Sequence, residues 1–100
     1  MVIKEFKGHK LCNSNWAIAF GYPEVSNGGD LIKDVASMEK EVSVPILLKL
    51  YVAFRRAADK EARNKPVDEI MDEVSVFDTD EMTKFTEIIM DLISEKAKKD

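Results

Sequence analysis

The sequence predicts a mainly α fold: a small helical domain of four to five helices with a short β-hairpin, or an extended arm, at its N-terminus. Three observations carry this. The chain has 100 residues, the size of one domain with one modest core. From residue 45 onward, apolar residues recur at three- and four-residue steps, the pattern of amphipathic helices. Ahead of that, residues 2–12 carry a strand-like pattern interrupted by a Lys-Gly pair. The chain thus reads as one domain over 1–100. A hairpin or arm spans 1–12, short helical segments and a loop span 13–41, and a three-helix core spans 45–98.

Val2 to Phe6 suits a strand, Lys7-Gly8 a turn, and His9 to Cys12 the returning strand, because Gly accepts positive φ. Asn13-Ser14-Asn15 is a cluster of good N-cap residues. Trp16 to Tyr22 follows as a short apolar helix with Gly21 and Pro23 as stop signals, although its length also suits a strand. Residues 23–30, with Asn27, Gly28 and Gly29, read as a loop. Asp30 can cap a helix from Leu31 to about Glu41, with Leu31, Val35 and Met38 on one face.

Pro45 fits the start of a helix reaching about Arg63. Leu47, Leu50, Tyr51, Phe54 and Ala58 make its stripe, and Leu48 and Val52 widen it, so this helix should be central. After the break at Asn64-Lys65-Pro66, residues 67–77 form an amphipathic segment. Val67, Ile70, Met71, Val74 and Phe77 take one face, and Asp68, Glu69, Asp72 and Glu73 the solvated one. The last helix should run from about Asp80 to Lys98, capped by Asp78 or Asp80, with Met82, Phe85, Ile88, Ile89, Leu92 and Ile93 inward. Lys96, Lys98 and Lys99 complement its dipole.

The apolar fraction of 45 % with 34 % charge fits a globular chain and neither a disordered nor a membrane one. The longest uncharged apolar run, residues 42–48, falls far short of the roughly 20 residues of a spanning helix. Lys4 interrupts the N-terminus before any secretory stretch forms. The expectation is a soluble cytoplasmic protein, and a single Cys fits a reducing compartment. The net charge of −4 conceals polarity: residues 45–65 carry +4 and residues 66–95 carry −9. The last third thus reads as an acidic helical hairpin beside a basic helix end. An acidic chain of this kind argues against nucleic acid as partner.

No constellation carries catalysis, a cofactor or a metal. His9 and Cys12 are two ligands where structural zinc wants four. Asp78, Asp80 and Glu81 begin like a calcium loop, but the central Gly and the closing Glu are missing. Gly28-Gly29-Asp30 lacks the lysine and spacing of a phosphate loop. Glu69 and Glu73 lie one helical turn apart, yet acid–base work needs a pocket that raises one pKa. Arg55, Arg56, Lys60, Arg63 and Lys65 are diluted by Asp59 and Glu61 and are better matched to the acidic segment than to nucleic acid. Trp16, Phe20 and Tyr22 form an aromatic cluster suited to a core or an interface.

The order of features adds to this. It runs from hairpin to brief apolar segment, then to a buried helix with Pro-Ile-Leu-Leu-Lys-Leu-Tyr-Val-Ala-Phe at 45–54. Next comes Pro-Val-Asp-Glu-Ile-Met-Asp-Glu at 66–73, and last a Phe/Ile-rich helix with a lysine tail. This order resembles the small tail assembly chaperones of long-tailed, siphovirus-type phages and Gram-positive prophages, over most of the chain and chiefly over residues 45–93. The loop 23–30 has no counterpart in the resemblance. The resemblance implies a non-enzymatic protein of the bacterial host cytoplasm that coats the tape measure protein and keeps it soluble during tail tube assembly. It also implies homo-oligomers, absence from the mature virion, the major tail tube protein as a further partner, and a longer frameshifted form.

In that role, the client surface would come from whatever the core leaves of Trp16, Phe20, Tyr22, Leu47, Tyr51 and Phe54. Self-association would pair Arg55, Arg56 and Arg63 with Asp68, Glu69, Asp72 and Glu73. The alternatives are a small acidic helical adaptor or regulator that binds one basic partner, and a small hydrolase using Glu69 and Glu73.

Overall fold

In the computed structural model, which describes residues 1–97 and of residues 95–97 the backbone alone, the chain begins with a hairpin. Strand β1 (Ile3–Phe6) pairs antiparallel with β2 (His9–Cys12), Phe6 opposite His9 and Ile3 opposite Cys12. Lys7 and Gly8 both take positive φ, 52° and 81°, as a two-residue turn matched to strand twist requires. The N-terminus is therefore a hairpin and not a free arm. It packs by β2 on the central helix and by β1 on the last one.

Residues 15–25 wind continuously. A π-helical turn, Ala17–Gly21, leads into α1 (Tyr22–Val25). Gly21 and Pro23 were expected to stop this helix and do not. Pro23 sits in the first turn of α1, where its missing N–H costs nothing. Gly21 keeps a helical φ of −62°, and a Cβ there would lie 2.9 Å from the Trp16 ring and 3.3 Å from Ala53 Cα. It is a point of close approach between two helices, and the actual stop is Asn27-Gly28, both at positive φ. Asp30 caps α2 (Leu31–Ser37) as expected, accepting from the N–H groups of Ile32 and Lys33, but the helix ends four residues short of Glu41.

Helix α3 (Val44–Ala58) is central, as its wide apolar girth predicts. Leu47, Leu50, Tyr51, Val52, Ala53 and Phe54 are all buried. Phe6, Tyr51 and Phe85 meet edge to face at centroid distances of 5.5–5.8 Å, joining hairpin, α3 and last helix in one aromatic centre. The helix stops at Ala58 and not at Arg63. Asp59 turns extended, and its carboxylate caps a 3₁₀ turn at Lys60–Asn64 by accepting from Glu61 N–H. Arg63 Nε then donates to Arg56 O at 2.8 Å, which satisfies one of the carbonyls a helix end leaves open.

Helix α4 is only Val67–Met71, not a helix to Phe77, and residues 72–78 descend in turns. The helix α5 (Thr79–Ala97) is capped by Asp78, whose carboxylate accepts from Glu81 N–H at 3.1 Å. Phe85, Ile89 and Leu92 are buried, and Met82, Ile88 and Ile93 pack half-buried beside them. The expected acidic hairpin of the last two helices does not form. The main contacts of α4 are with α3, and those of α5 are with β1 and α3. The side chains of the lysine tail and the expected helix end at Lys98 lie outside the described residues. Among the described residues, no helix is long and apolar enough to cross a membrane.

Candidate functional site

The basic end of α3 meets the turn after α4 in a closed polar cluster. Arg55 is buried, and its Nε and Nη2 grip both oxygens of Glu73 at 2.8 and 2.9 Å. The Tyr51 hydroxyl donates to Glu73 Oε1 at 2.6 Å, His9 Nε2 stands 3.8 Å from the same oxygen, and Lys7 Nζ donates to Glu73 O at 3.0 Å. Lys7 also pairs with Glu81 at 3.2 Å, and Glu81 accepts from Ser75 N–H. Burial alone would raise the Glu73 carboxyl pKa. The hydrogen bonds from Arg55 and Tyr51, with the charges of Arg55 and His9, outweigh it and hold the carboxyl at about 2. Burial and the Glu73 hydrogen bond push the Tyr51 phenol up. The Glu73 hydrogen bond and charge raise Arg55 despite burial.

This cluster overturns one expectation and bears against one alternative. Glu73 is not on a solvated face, because the helix that would put it there has already ended. The alternative of an acid–base pair with Glu69 lacks its geometry: Glu69 is exposed, while both Glu73 oxygens are taken and its carboxyl is held low, at about 2. His9 and Cys12 likewise do not converge, since residues three apart on a strand point to opposite faces. Among the described residues, no three His, Cys, Asp or Glu side chains group as metal ligands.

The residues expected to bind a client are mostly consumed by the core. Tyr22, Leu47, Tyr51 and Phe54 are buried, and Tyr22 donates to Asp34 Oδ2 at 2.6 Å, tying α1 to α2. Burial and Asp34 raise the Tyr22 phenol as well. Trp16 is half-buried under the Arg63 guanidinium, 3.9 Å from its ring centroid, a stacked cation–π contact. Only Phe20, 64 % exposed, is fully available.

The expected intermolecular charge pairs are largely met inside the molecule. Arg55 holds Glu73 and Asp59, and Arg56 is buried against Glu24 and Lys65 O. Its Nε has no partner among the described residues. Arg63 is turned back on α3. Asp68, Glu69 and Asp72 remain exposed.

What the surface does offer was not expected. Phe77 is 100 % exposed, in the turn that presents α5. Beside that turn runs an open groove of about 560 Å³, lined by Val76, Thr79, Met82, Thr83, Thr86 and Glu87. Among the described residues, Asp68, Glu69, Asp72, Asp78, Asp80, Glu87 and Asp91 have no ion-pair partner. The sequence signal for the groove is Thr79, Met82, Thr83 and Thr86, which recur at three- and four-residue steps on one flank of the helix beside the core stripe. Asn13 also differs from expectation. It is buried, accepts from Val2 N–H at 2.7 Å and donates to Leu92 O at 3.0 Å, and so locks the hairpin to α5 without capping any helix.

Compared with known proteins, the chain matches no family model, no curated protein and no solved structure.

Proposed function

We propose that this protein is a non-catalytic assembly chaperone of the phage-tail type, which covers the tape measure protein and keeps it soluble while tail tube subunits assemble. The observation that supports this reading most directly is the fully exposed Phe77, which follows the half-buried Val76 and precedes the half-buried Met82 of α5. An exposed phenyl beside an open groove that offers Val76 and Met82 suits the reversible covering of another apolar surface. The clustered ionisable groups give the same direction. Tyr51, Arg55 and Glu73 saturate one another and hold the fold together, leaving no activated nucleophile or poised acid among them. The unpaired exposed carboxylates, Asp68, Glu69 and Asp72 among them, would keep a coated complex soluble. In this role the protein acts in the host cytoplasm, forms oligomers on its client, meets the tail tube protein as the client is handed over, and leaves before the virion matures.

Co-expression tests it. A helical tape measure fragment that is insoluble alone should become soluble with this chain, and no rescue by the folded chain rejects the reading. Gene order gives a second check: a tail tube gene upstream and a very long tape measure gene downstream. The unpaired carboxylates also favour the adaptor reading, in which one basic partner is bound at fixed stoichiometry. Several copies per client molecule decide for the chaperone.

A further inference from the structure

The turn that ends α1 holds the pair Asn27-Gly28, both at positive φ, 60° and 88°, and both exposed. Asparagine before glycine carries its own chemistry. The Gly28 nitrogen, once its proton is lost to hydroxide, can attack the Asn27 side-chain carbon Cγ. A C–N bond then closes a succinimide ring, the Cγ–Nδ2 bond breaks, and Nδ2 leaves as ammonia with a proton from water. A second water opens the ring at either carbonyl and leaves an aspartyl or an isoaspartyl residue with a new carboxylate. Glycine hinders this attack least, because it has no Cβ. We propose that Asn27 is a site of spontaneous deamidation that the native loop restrains, so that opening of this loop sets the rate of the reaction.

The restraint is a hydrogen bond. Gly28 N–H donates to Pro23 O at 2.7 Å, the bond that closes a helix ending on a left-handed residue. While it holds, the nitrogen keeps its proton and directs it at Pro23 O. Ser26 reinforces the turn, since its N–H and its hydroxyl both donate to Tyr22 O, at 2.9 and 2.6 Å. The Tyr22 hydroxyl in turn holds Asp34 of α2 at 2.6 Å, across the loop. Asparagine enters left-handed backbone more readily than most residues with a side chain, which suits it to position 27. The residue that closes the helix is thus also the one open to chemical loss.

Conversion would not be neutral for the fold. An isoaspartyl linkage adds a methylene to the main chain between residue 27 and Gly28, which shifts the Gly28 N–H away from Pro23 O. A carboxylate at position 27 stands at the negative end of α1, in a segment that already carries Glu24, Asp30 and Asp34. The loop between α1 and α2 therefore loosens, and the chain alone cannot reverse the change. This chemistry needs no client and is independent of the chaperone role.

The test follows the full chain at mildly alkaline pH, folded in buffer and unfolded in urea, by peptide mapping that separates aspartyl from isoaspartyl products. Among the four asparagines, Asn27 should convert first in urea, since Asn13, Asn15 and Asn64 precede Ser, Trp and Lys. Folding should slow Asn27 about three- to tenfold, the effect of one net hydrogen bond. Hydrogen exchange of the Gly28 amide should slow by a matching factor, because both reactions wait on the same opening. Tyr22→Phe, which removes the tie to Asp34, should speed both together, with each variant's rate in urea as its own reference. If that variant does not fold, Ser26→Ala, which removes the hydroxyl bond to Tyr22 O, serves instead with the same expectation. Equal rates for the folded and the unfolded chain overturn the proposal. So does a protected Gly28 amide beside an unprotected Asn27, or first conversion in urea at another asparagine.

Discussion

Glu73 and Phe77 lie four residues apart, and each occupies the place expected of the other. The carboxylate is enclosed by Arg55, Tyr51 and His9, while the phenyl stands wholly in solvent. The two form neighbouring regions, one closed and one open. In the closed region three polar groups after Met71 find partners from other elements. Lys7 takes Glu73 O, Arg55 takes the carboxylate, and Glu81 takes Ser75 N–H. Those bonds replace the helical ladder, so α4 can end early without leaving its backbone unsatisfied. In the open region the chain, released from helical period, leaves Phe77 with nothing to pack on. A polar cluster can therefore fix the fold and, by ending a helix, expose an apolar residue next to it.

The largest effect should come from breaking the closed side. Glu73→Ala strands the buried Arg55 charge and should cost about 3–5 kcal/mol of stability in denaturant unfolding. Glu73→Gln, which keeps an acceptor for Tyr51, should cost less. A loss below about 1 kcal/mol for Glu73→Ala means that the cluster does not hold the turn in place.

Acid should act on the same group. The Glu73 carboxyl lies at about 2 in the folded protein against an ordinary value of 4.5. A depressed carboxylate contributes stability that is fully present above its unfolded value and lost as pH falls toward its folded one. Stability should thus decline between pH 4.5 and about 2. The decline should flatten in Glu73→Ala, and an unchanged acid limb in that variant assigns acid sensitivity elsewhere.

A third test extends the closed side to the crossing at Gly21. The Cβ of Gly21→Ala would press on the Trp16 ring at 2.9 Å and on the Ala53 backbone at 3.3 Å. Overpacking of this kind should cost about 1–3 kcal/mol, although alanine is the better helix former. A stabilised variant would show that the two helices separate easily.

The smallest effect on stability should be at the open side. Phe77→Ser should change unfolding free energy by no more than about 0.5 kcal/mol, because the ring buries nothing. On the proposed function it should still weaken binding of an apolar client. Destabilisation comparable to Gly21→Ala would mean that the ring packs in solution and that the contrast with Glu73 is false.

Much of the fold was legible because it rests on local rules. The wide stripe of Leu47, Leu50, Tyr51 and Phe54 marked α3 as central, Lys7-Gly8 marked the hairpin turn, and Asp30 and Asp78 marked helix starts. The ends of α3 and α4 were not legible, since apolar spacing continues past both. They are set by Arg63 reaching Arg56 O and Arg55 reaching Glu73, contacts between residues that periodicity treats as independent. The candidate site followed the same division. Of the six apolar residues expected at a client surface, four are needed by the core: Leu47, Tyr51 and Phe54 by the strength of the α3 stripe, and Tyr22 by the packing of α1 on α3. The open groove went unnoticed because Thr79, Thr83 and Thr86 make up half of its lining.

By itself, then, the sequence determined a helical chain opened by a hairpin, with α3 at its centre, poor in catalytic vocabulary and divided into basic and acidic segments. These follow from residue type and spacing, which act over a few neighbours. Tertiary structure alone decided which charges are spent inside and which remain outside. Arg55 and Glu73 face each other across 18 residues and neutralise one another, while Asp80, Glu87 and Asp91 form no ion pair among the described residues. A charge count cannot make that distinction, because the interaction depends on distance and burial.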